Sequence, residues 1–349
     1  WGFVTQAKQV ITSLCQTINE VLQELIPEGS RCALPDLPAH TNVNVGDHAI
    51  WLGENAWLRR RSVELVYTSD MRTYERTRMA KRLGPDGIIL LSGGGNFSDL
   101  HPVHQQFREM IVRAFPHHQI IQFPQTIWFA QPTSLDRARS VFAHHPKLTV
   151  LARDHRSLEM ARYGLQVSAR LCPDMAFMLG RLPRISPPSV EALWIWRKDC
   201  ASACQTLRMQ PNAKVADWVD GLSATPMGFT RFLERQLVAY PRARHTLQRL
   251  LVAAHDRIAR AYLEMGCRIL SQGKMIVTDR LHAHILSLLL GIPHIVFDDH
   301  YGKVKTFYET WTEGCDLTRW VNSPEEAQRA SGGGQVAQSA GHGGGARHA

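Results

Sequence analysis

The sequence has no long hydrophobic run. Its longest apolar stretch, Ile285 to Ile292, is far shorter than the ~20 residues that a membrane-spanning helix needs. It also lacks a basic segment followed by an apolar one near its start, which is the pattern of a secretory signal peptide. We therefore expect a soluble or peripheral protein of the cytoplasm, with the inner face of the cell membrane as a second location.

Clusters of one charge are absent, although 40 Lys and Arg against 31 Asp and Glu give a formal net charge of +9. The basic residues form no run of five or six and lack interleaved aromatic residues, so we expect no nucleic-acid partner. A positive balance favours anionic ligands, which include phosphorylated molecules and anionic lipid surfaces. Because no amphipathic anchor is clear, peripheral membrane contact is left open.

Cysteine is sparse and scattered, with seven residues in 349. An odd, widely spaced set argues against a disulfide scaffold and for a reducing compartment. Cys200 and Cys204 lie one helical turn apart, but no second Cys or His pair at zinc-ligand spacing accompanies them. We therefore predict no metal site.

The length exceeds the ~250–300 residues at which a single hydrophobic core stops growing, which predicts two domains. Short apolar strands alternate with amphipathic helical segments, which is typical of α/β proteins with a parallel sheet covered by helices. A proline-rich break predicts a linker, with domains at residues 1–182 and 183–330. The Gly-rich tail, 331–349, has almost no large apolar residue and is expected to be disordered.

Periodicity predicts the following elements. The predicted strands are 63–67, 87–91, 119–123, 148–152, 192–196, 275–278 and 294–297. The predicted helices are 3–26, 47–60, 71–82, 103–115, 133–144, 229–272 and one that begins near residue 281.

A polar turn that runs into a helical pattern contains Asn44, Gly46 and Asp47. We predict Asp47 as the N-cap, so that the free N–H groups of the first turn could bind an anion or a sugar hydroxyl. The alternative is a capped turn that binds no ligand.

Three glycines, Gly93, Gly94 and Gly95, followed by Asn96, come directly after a buried strand. They let the backbone approach a ligand closely, and such loops form the ligand crevice of open α/β sheets. The segment matches neither a Walker A loop nor a complete dinucleotide fingerprint. The alternative is a close-packed turn.

Arginine follows two of the predicted strands. Arg153 lies where a strand gives way to a helix, so its guanidinium could bind phosphate or carboxylate, or form only a surface ion pair. Arg280 precedes Leu281 and His282 at the start of a second helix, where its side chain and the helix N–H groups suit an anion. His282 could transfer a proton near neutral pH, whereas His284 is expected to be structural. Lys303 could add a second cation.

Together these segments resemble the polysaccharide pyruvyl transferase family, and its exopolysaccharide branch most. The resemblance spans about residues 42–311. Its carriers are Asn44-Val45-Gly46-Asp47, Ser92-Gly93-Gly94-Gly95-Asn96, Pro124-Gln125, Arg153-Asp154 with Ser157, Pro173-Asp174, Thr278-Asp279-Arg280-Leu281-His282 and Tyr301-Gly302-Lys303.

The resemblance implies two Rossmann-like domains that face a cleft, as in GT-B glycosyltransferases. It also implies phosphoenolpyruvate as donor, no cofactor, and a glycan or lipid-linked oligosaccharide of a bacterial polysaccharide as acceptor. Arg153 and Arg280 would hold the phosphate or carboxylate of the donor, and Leu281 would contribute its backbone. His282 would be the acid/base, and Lys303 a further essential cation.

Two other functions share parts of this pattern. A GT-B-type glycosyltransferase would use a nucleotide sugar, which requires an acidic or ribose-binding residue in the second domain, and no convincing candidate is present. A non-catalytic protein that binds an anionic glycan would need Arg280 and Lys303 but not His282. Trp194 and Trp196 could line a sugar platform, although at least one of them is expected in the core.

Overall fold

Two parallel β-sheets with helices packed against them organise the computed structural model, which describes residues 3–38, 44–196, 213–218, 220, 244–298 and 302–332. The predicted α/β class, with one sheet in each half of the chain, is confirmed. A GT-B-like cleft between the halves stays a prediction, as do the exact domain boundaries.

Among the described residues the first sheet has seven strands, and all its pairings are parallel. The spatial order is β2-β1-β3-β5-β6-β7, and β4 pairs with β5. The strands are β1 (Arg31–Leu34), β2 (Glu64–Thr68), β3 (Ile88–Leu91), β4 (Gly94–Ser98), β5 (Gln119–Trp128), β6 (Leu148–Ala152) and β7 (Ser168–Leu171).

The second sheet has five strands in the part of the chain that the structure describes, in the order β12-β11-β10-β8-β9, and they too are parallel. The strands are β8 (Val190–Ile195), β9 (Ala213–Ala216), β10 (Gly273–Thr278), β11 (His294–Val296) and β12 (Thr318–Trp320). In both sheets the chain order reverses beside the first strand. Ligands of doubly wound folds bind outside the carboxyl ends of the strands at such reversal points.

The helices are α1 (Phe3–Leu25), α2 (Val45–Arg60), α3 (Arg76–Leu83), α4 (Pro102–Ala114), α5 (Pro132–Phe142), α6 (His155–Glu159), α7 (Arg244–Ser271), α8 (Leu281–Leu290), α9 (Lys303–Phe307) and α10 (Pro324–Gly332). Short π-helical turns follow α6 and α9, and a 3₁₀ turn spans Met175–Leu179. The described helices are too short or too polar to cross a membrane.

The predicted helix at 71–82 begins only at Arg76. The Asp70 carboxylate accepts hydrogen bonds from the Thr73 N–H (2.7 Å) and the Thr73 hydroxyl (2.8 Å), and the N–H of Glu75 donates to the hydroxyl of Tyr67 (2.8 Å). Side chains therefore hold this segment as a turn, as Asp commonly does. Residues 229–243 of the predicted long helix and 333–349 of the predicted tail lie outside the described residues.

Helix α2 joins the two halves of the molecule. The largest cluster of buried apolar side chains draws on both sheets and includes Trp51 of α2. At the outer end of this contact the carboxylate of Asp256, on α7, accepts hydrogen bonds from the Trp51 indole (3.0 Å), the Asn55 amide (2.9 Å) and the Arg59 guanidinium (2.6 Å). Because a buried carboxylate needs such partners, these bonds fix the position of α2 against the second half.

Candidate active site

His282 lies in the first turn of α8, directly after the end of β10. Its imidazole rests against the first turn of α2, so closely that a Cβ atom on Gly46 would overlap Nδ1 of the ring. The glycine of the Asn-Val-Gly-Asp segment therefore leaves room for the candidate proton donor, and the starts of two helices from different halves meet at this ring.

Asp174 contacts the other side of the imidazole, with 3.4 Å between its Oδ2 and Nε2 of His282. It is fully buried, and it also accepts hydrogen bonds from Arg153 (2.8 Å) and from the N–H of Ala176 (2.9 Å). Burial by itself would raise the pKa of Asp174. The charges of His282 and Arg153, together with these hydrogen bonds, outweigh burial and hold the pKa well below its usual range. Asp174 is therefore ionised at neutral pH.

The side chain of Arg153 is only 2% exposed. Its Nε donates to the hydroxyl of Thr126 (2.7 Å), and Nη1 donates to Asp174 (2.8 Å). Its Nη2 lies 3.0 Å from the position that a Cβ on Gly95 would take. Asp154 caps α6 by accepting the N–H of Ser157 (2.7 Å). The ion pair of Arg153 is thus buried and holds the aspartate that contacts His282.

Arg280 is the N-cap of α8 and is more open, with 17% of its side chain exposed. Its Nη2 donates to the carboxylate of Asp217 (2.6 Å), which follows β9, and its N–H donates to the hydroxyl of Thr278 (3.0 Å). Leu281, the first residue of the helix, is buried. The guanidinium and the first turn of α8 lie where the carboxyl ends of β8 and β10 meet, which is the reversal point of the second sheet.

His284 lies two residues beyond His282 and is buried. Its Nδ1 is 2.7 Å from Nε2 of His294, and its Nε2 is 3.0 Å from the hydroxyl of Thr312. Burial lowers the pKa of His294 to about 4 and that of His284 well below its usual value. Both rings are therefore neutral at physiological pH, and the expected structural role of His284 agrees with this geometry.

The glycine segment differs from the predicted loop, because Gly94 already begins β4, which pairs with β5. Gly93 donates its N–H to the buried carboxyl of Glu54 (2.7 Å), and Ser92 donates its N–H to Asp36 (3.0 Å). Asn96 accepts from the buried Arg108 (2.8 Å). Because the glycines have no side chain, they leave room for other groups of the protein. Those groups include two acids that sequence reasoning missed.

These two acids occupy the reversal point of the first sheet. Burial raises the pKa of Asp36 to about 6, and it raises that of Glu54 well above its usual value. The N–H donors lower both pKa values, but they do not outweigh burial. Glu54 therefore keeps its proton to a higher pH than an exposed glutamate does. Its position in the middle of α2, far in sequence from Gly93, left no local pattern to reveal it.

The predicted N-cap at Asp47 is wrong, because α2 begins at Val45 and is capped by Asn44. The side chain of Asn44 accepts the N–H of Gly46 (3.1 Å). Asp47 lies in the first turn instead, where a negative charge is favourable at the positive end of the helix. An Asn followed three residues later by an acid is close to a capping-box pattern. This pattern was the signal in the sequence that could have identified Asn44 as the N-cap.

Lys303 begins α9, after Gly302 in the left-handed conformation (φ 74°). Arg156 of α6 approaches this glycine, with its Nη1 3.2 Å from the position of a Cβ. Helix α9 ends at residue 307, and a short turn that reaches Thr312 follows it. In this turn the indole of Trp311 donates a hydrogen bond to the carbonyl of Arg153 (2.8 Å). The segment that carries Lys303 therefore packs on the end of β6.

Trp194 and Trp196 are both buried and stack on each other, with 5.8 Å between ring centroids. The idea that they form a sugar platform is therefore wrong, because neither ring offers a face to a ligand. Among the described residues, no group of three or more His, Cys, Asp or Glu is arranged to hold a metal ion. Cys200 and Cys204 lie outside the described residues.

The sequence model of the family described as polysaccharide pyruvyl transferase matches residues 44–301, well over half of the chain. The chain belongs to this family. The matched range contains the meeting point of Gly46, Arg153, Asp174 and His282, and the prediction of the family and of an enzyme is confirmed.

Two relatives of this chain are named as pyruvyl transferases. Pyruvyl transferase 1 of Schizosaccharomyces pombe is 32% identical over 298 residues, which cover 82% of this chain and 71% of the yeast protein. The pyruvyl transferase homologue EpsO of Bacillus subtilis is 31% identical over 316 residues, which cover 90% of this chain and 95% of that protein.

A solved structure of a functionally uncharacterised protein from Klebsiella pneumoniae has a TM-score of 0.58 with this chain. The match covers 89% of this chain and 99% of that chain at 16% identity. It supports the fold alone.

Proposed function

We propose that this protein transfers the pyruvyl group of phosphoenolpyruvate to two hydroxyls of a sugar in a glycan or lipid-linked oligosaccharide, forming a pyruvate ketal and releasing phosphate. The observation that carries the proposal is the contact of His282, from the second half of the molecule, with the ionised, buried Asp174 of the first half, which Arg153 holds in place. A histidine held in this way, at a helix start that suits an anion, is equipped for proton transfer to a bound phosphorylated donor.

The donor is an anion, so its site needs positive groups. Arg280 and the N–H groups at the start of α8 are on the same side of the sheet end as His282. Arginine binds planar carboxylates and phosphates through paired hydrogen bonds, and the helix start adds a partial positive charge. To bind the donor, the Arg280 guanidinium would exchange or share its bond to Asp217. Leu281 would contribute its backbone at the helix start, and Lys303 a further charge.

His282 would act as the general acid. Its proton moves to the methylene carbon of the donor, which becomes the methyl group of the ketal, and positive charge develops on the neighbouring carbon. A sugar hydroxyl adds to that carbon, the bond to the phosphate oxygen breaks, and a second hydroxyl closes the ring. One hydroxyl proton restores the histidine and the other leaves with phosphate, so that atoms and charges balance. Asp174 stabilises the imidazole in its protonated form, before the proton leaves and after a hydroxyl proton restores it.

The names of the relatives support pyruvyl transfer, and the family description supports a polysaccharide acceptor. The segment at Asn44 to Asp47 and the segment at Gly93 to Asn96 lie on the first half of the molecule, facing His282 and Arg153. We assign the acceptor to this side, because the donor groups Arg280 and Leu281 belong to the second half.

The test is the thermal stability of the purified protein with phosphoenolpyruvate, compared with a panel of nucleotide sugars. A ligand that binds only the folded state stabilises it by about 2.7 kcal/mol at a hundredfold excess over its Kd. We expect a shift with phosphoenolpyruvate that is lost in Arg280→Ala and kept in His282→Ala, together with loss of phosphate release in both. Arg268→Ala is the matched control, because Arg268 is exposed and pairs with the exposed Glu264 in the same helix.

A shift with a nucleotide sugar and none with phosphoenolpyruvate would replace this proposal by glycosyl transfer. Donor binding with unchanged turnover in His282→Ala would remove the proton-transfer role. Binding of an anionic glycan without any phosphate release in the wild type would leave only a binding function.

A further inference from the structure

Helix α4 carries apolar side chains on its outer surface. Val103 is 65% exposed, and Leu100 and Met110 are exposed as well, while Phe107 is half-buried against the ring of Tyr74. Positions 103, 107 and 110 lie on one face of a helix, and Leu100 precedes the same face. We call these four residues the apolar stripe. A continuous exposed stripe of this kind marks an interaction surface, whereas single exposed apolar residues do not.

Basic side chains are exposed on α4 and on the neighbouring α3 segment. Arg76 of α3 is exposed and donates to the carbonyl of Ala114 at the end of α4 (3.2 Å), which places the two helices side by side. Arg72 and Lys81 are also exposed, and Arg113 on α4 is 60% exposed.

The carboxylates beside the apolar stripe are used within the protein. Glu109, on α4, is buried between Arg113 and Arg137. Asp99 accepts the N–H groups of Ala130 and Gln131 at the start of α5 (both distances at or below 3.0 Å). Glu75 is exposed and caps α3 by accepting the N–H of Arg78. Helix α3 carries four basic residues and no acidic residue, so the balance of charge beside the apolar stripe is positive.

The apolar stripe begins close to the candidate active site. It starts where β4 ends, which is the edge of the first sheet that carries the site. Its first residue, Leu100, therefore lies at the same edge of the sheet as the segments that carry the site.

We propose that the apolar stripe of α4, with the basic residues of α3 and α4 around it, docks this protein on an anionic phospholipid surface. Apolar side chains enter the boundary between headgroups and acyl chains, while arginines and lysines remain among the headgroups. A second copy of the chain fits this surface less well, because a two-fold contact would bring the same positive groups together. Docking in this way holds the rim of the site against the membrane.

The proposal is tested by sedimentation of the full chain with phosphatidylcholine vesicles that contain or lack phosphatidylglycerol. We expect at least about tenfold stronger partition onto the anionic vesicles, with a loss on adding salt. Val103→Asp with Met110→Asp should lower the partition about tenfold, and Lys81→Gln with Arg113→Gln about fivefold for each charge removed. Neither pair lies in the proposed catalytic machinery.

Tyr163→Asp is the matched control, because Tyr163 is 77% exposed and lies outside the apolar stripe. Its partition should equal that of the wild type. Equal unfolding midpoints of all variants exclude misfolding as the cause of a loss, and an acid at position 103 suits the first turn of α4.

Equal partition of the wild type onto both kinds of vesicle, or wild-type partition of the Val103 and Met110 variant, would overturn the proposal. A concentration-dependent dimer in sedimentation velocity, lost in that variant, would overturn it in favour of a second copy. Neither phosphoenolpyruvate nor glycan is present in these measurements, so their outcome is separate from that of the proposed reaction.

Discussion

Arg153 and Arg280 follow strands of the two sheets in much the same way, yet their surroundings differ. Arg153 is 2% exposed and gives its hydrogen bonds to Thr126 and Asp174, whereas Arg280 is 17% exposed and pairs with Asp217 at the start of α8. Both charges are paired with a carboxylate, but the pair of Arg153 is fully buried, whereas Arg280 is partly exposed. An arginine that follows a strand therefore positions another side chain in the first half, whereas in the second half it is suited to ligand binding.

The difference in burial between the two arginines refines the roles that the family resemblance implies for them. The bonds of Arg153 make it first of all the residue that positions Asp174 against His282. Direct contact of Arg153 with the donor stays a prediction, and Nη2, beside Gly95, is the atom that would make it. The bond of Arg280 to one carboxylate is the one that an anionic donor can replace.

The largest effect on stability is expected for Arg153→Leu. Removal of the guanidinium takes away one of the charged partners of the buried Asp174, which costs about 3–5 kcal/mol of unfolding free energy. Urea denaturation measures this loss. Leu at both 153 and 174 should recover most of it, because the buried charge is then gone as well. Unchanged stability of Arg153→Leu would break the contrast between the two arginines.

Gly46→Ala should lower turnover about a hundredfold, which corresponds to about 2.7 kcal/mol in the barrier. The added methyl group overlaps the imidazole of His282 and displaces it from Asp174. Steady-state phosphate release measures the effect. Gly266→Ala is the control, because its methyl group meets Val45 in the same turn of α2 but not the imidazole. Equal losses in both variants would show that displacement of α2, not of His282, is responsible.

Acid should destabilise the second half through the buried histidines. The pKa of His294 is lowered from 6.5 to about 4, so its contribution to stability is complete above pH 6.5 and is lost as pH falls towards 4. The pKa of His284 is lowered further, so its loss continues to lower pH. Each such group contributes roughly 1.4 kcal/mol per pH unit within its range.

His284→Leu tests this assignment by removing one of the two groups, while Thr318 still bonds His294 (3.1 Å). The variant should lose less stability than the wild type between pH 6.5 and 4. Asp36 and Glu54, whose raised pKa values act in the opposite direction, are common to both proteins. Unfolding midpoints across this pH range measure the difference, and parallel curves would contradict it.

The smallest effect on stability is expected for Arg280→Ala, about 1 kcal/mol in urea denaturation. Part of its side chain is exposed, and Asp217 keeps a bond from the N–H of Trp218 (2.6 Å). A loss as large as that of Arg153→Leu would mean that Arg280 is as structural as Arg153 and would remove the difference on which its donor role depends.

Short-range patterns predicted the parallel sheets and most of their strands, because a buried strand followed by an amphipathic helix leaves a signal within about 30 residues. The same signal identified His282, which follows the apolar strand β10. Strands β1, β7 and β12 escaped, because each is only three or four residues long and contains an arginine, whereas the equally short β3 is a continuous apolar run. Asp70 and its hydrogen bonds explain why α3 starts later than expected.

The contacts of the site depend on residues far apart in the chain. Asp174 meets His282 across more than a hundred residues, Asp217 meets Arg280 across 63, and Glu54 meets Gly93 across 39. Sequence alone established the residue types, the strand ends and the helix starts, because these follow from local propensity and burial. Only the packing of the two halves decided that the charge of Arg153 is fully buried and that of Arg280 is partly exposed. Burial and Coulomb interactions depend on distances that local sequence does not specify.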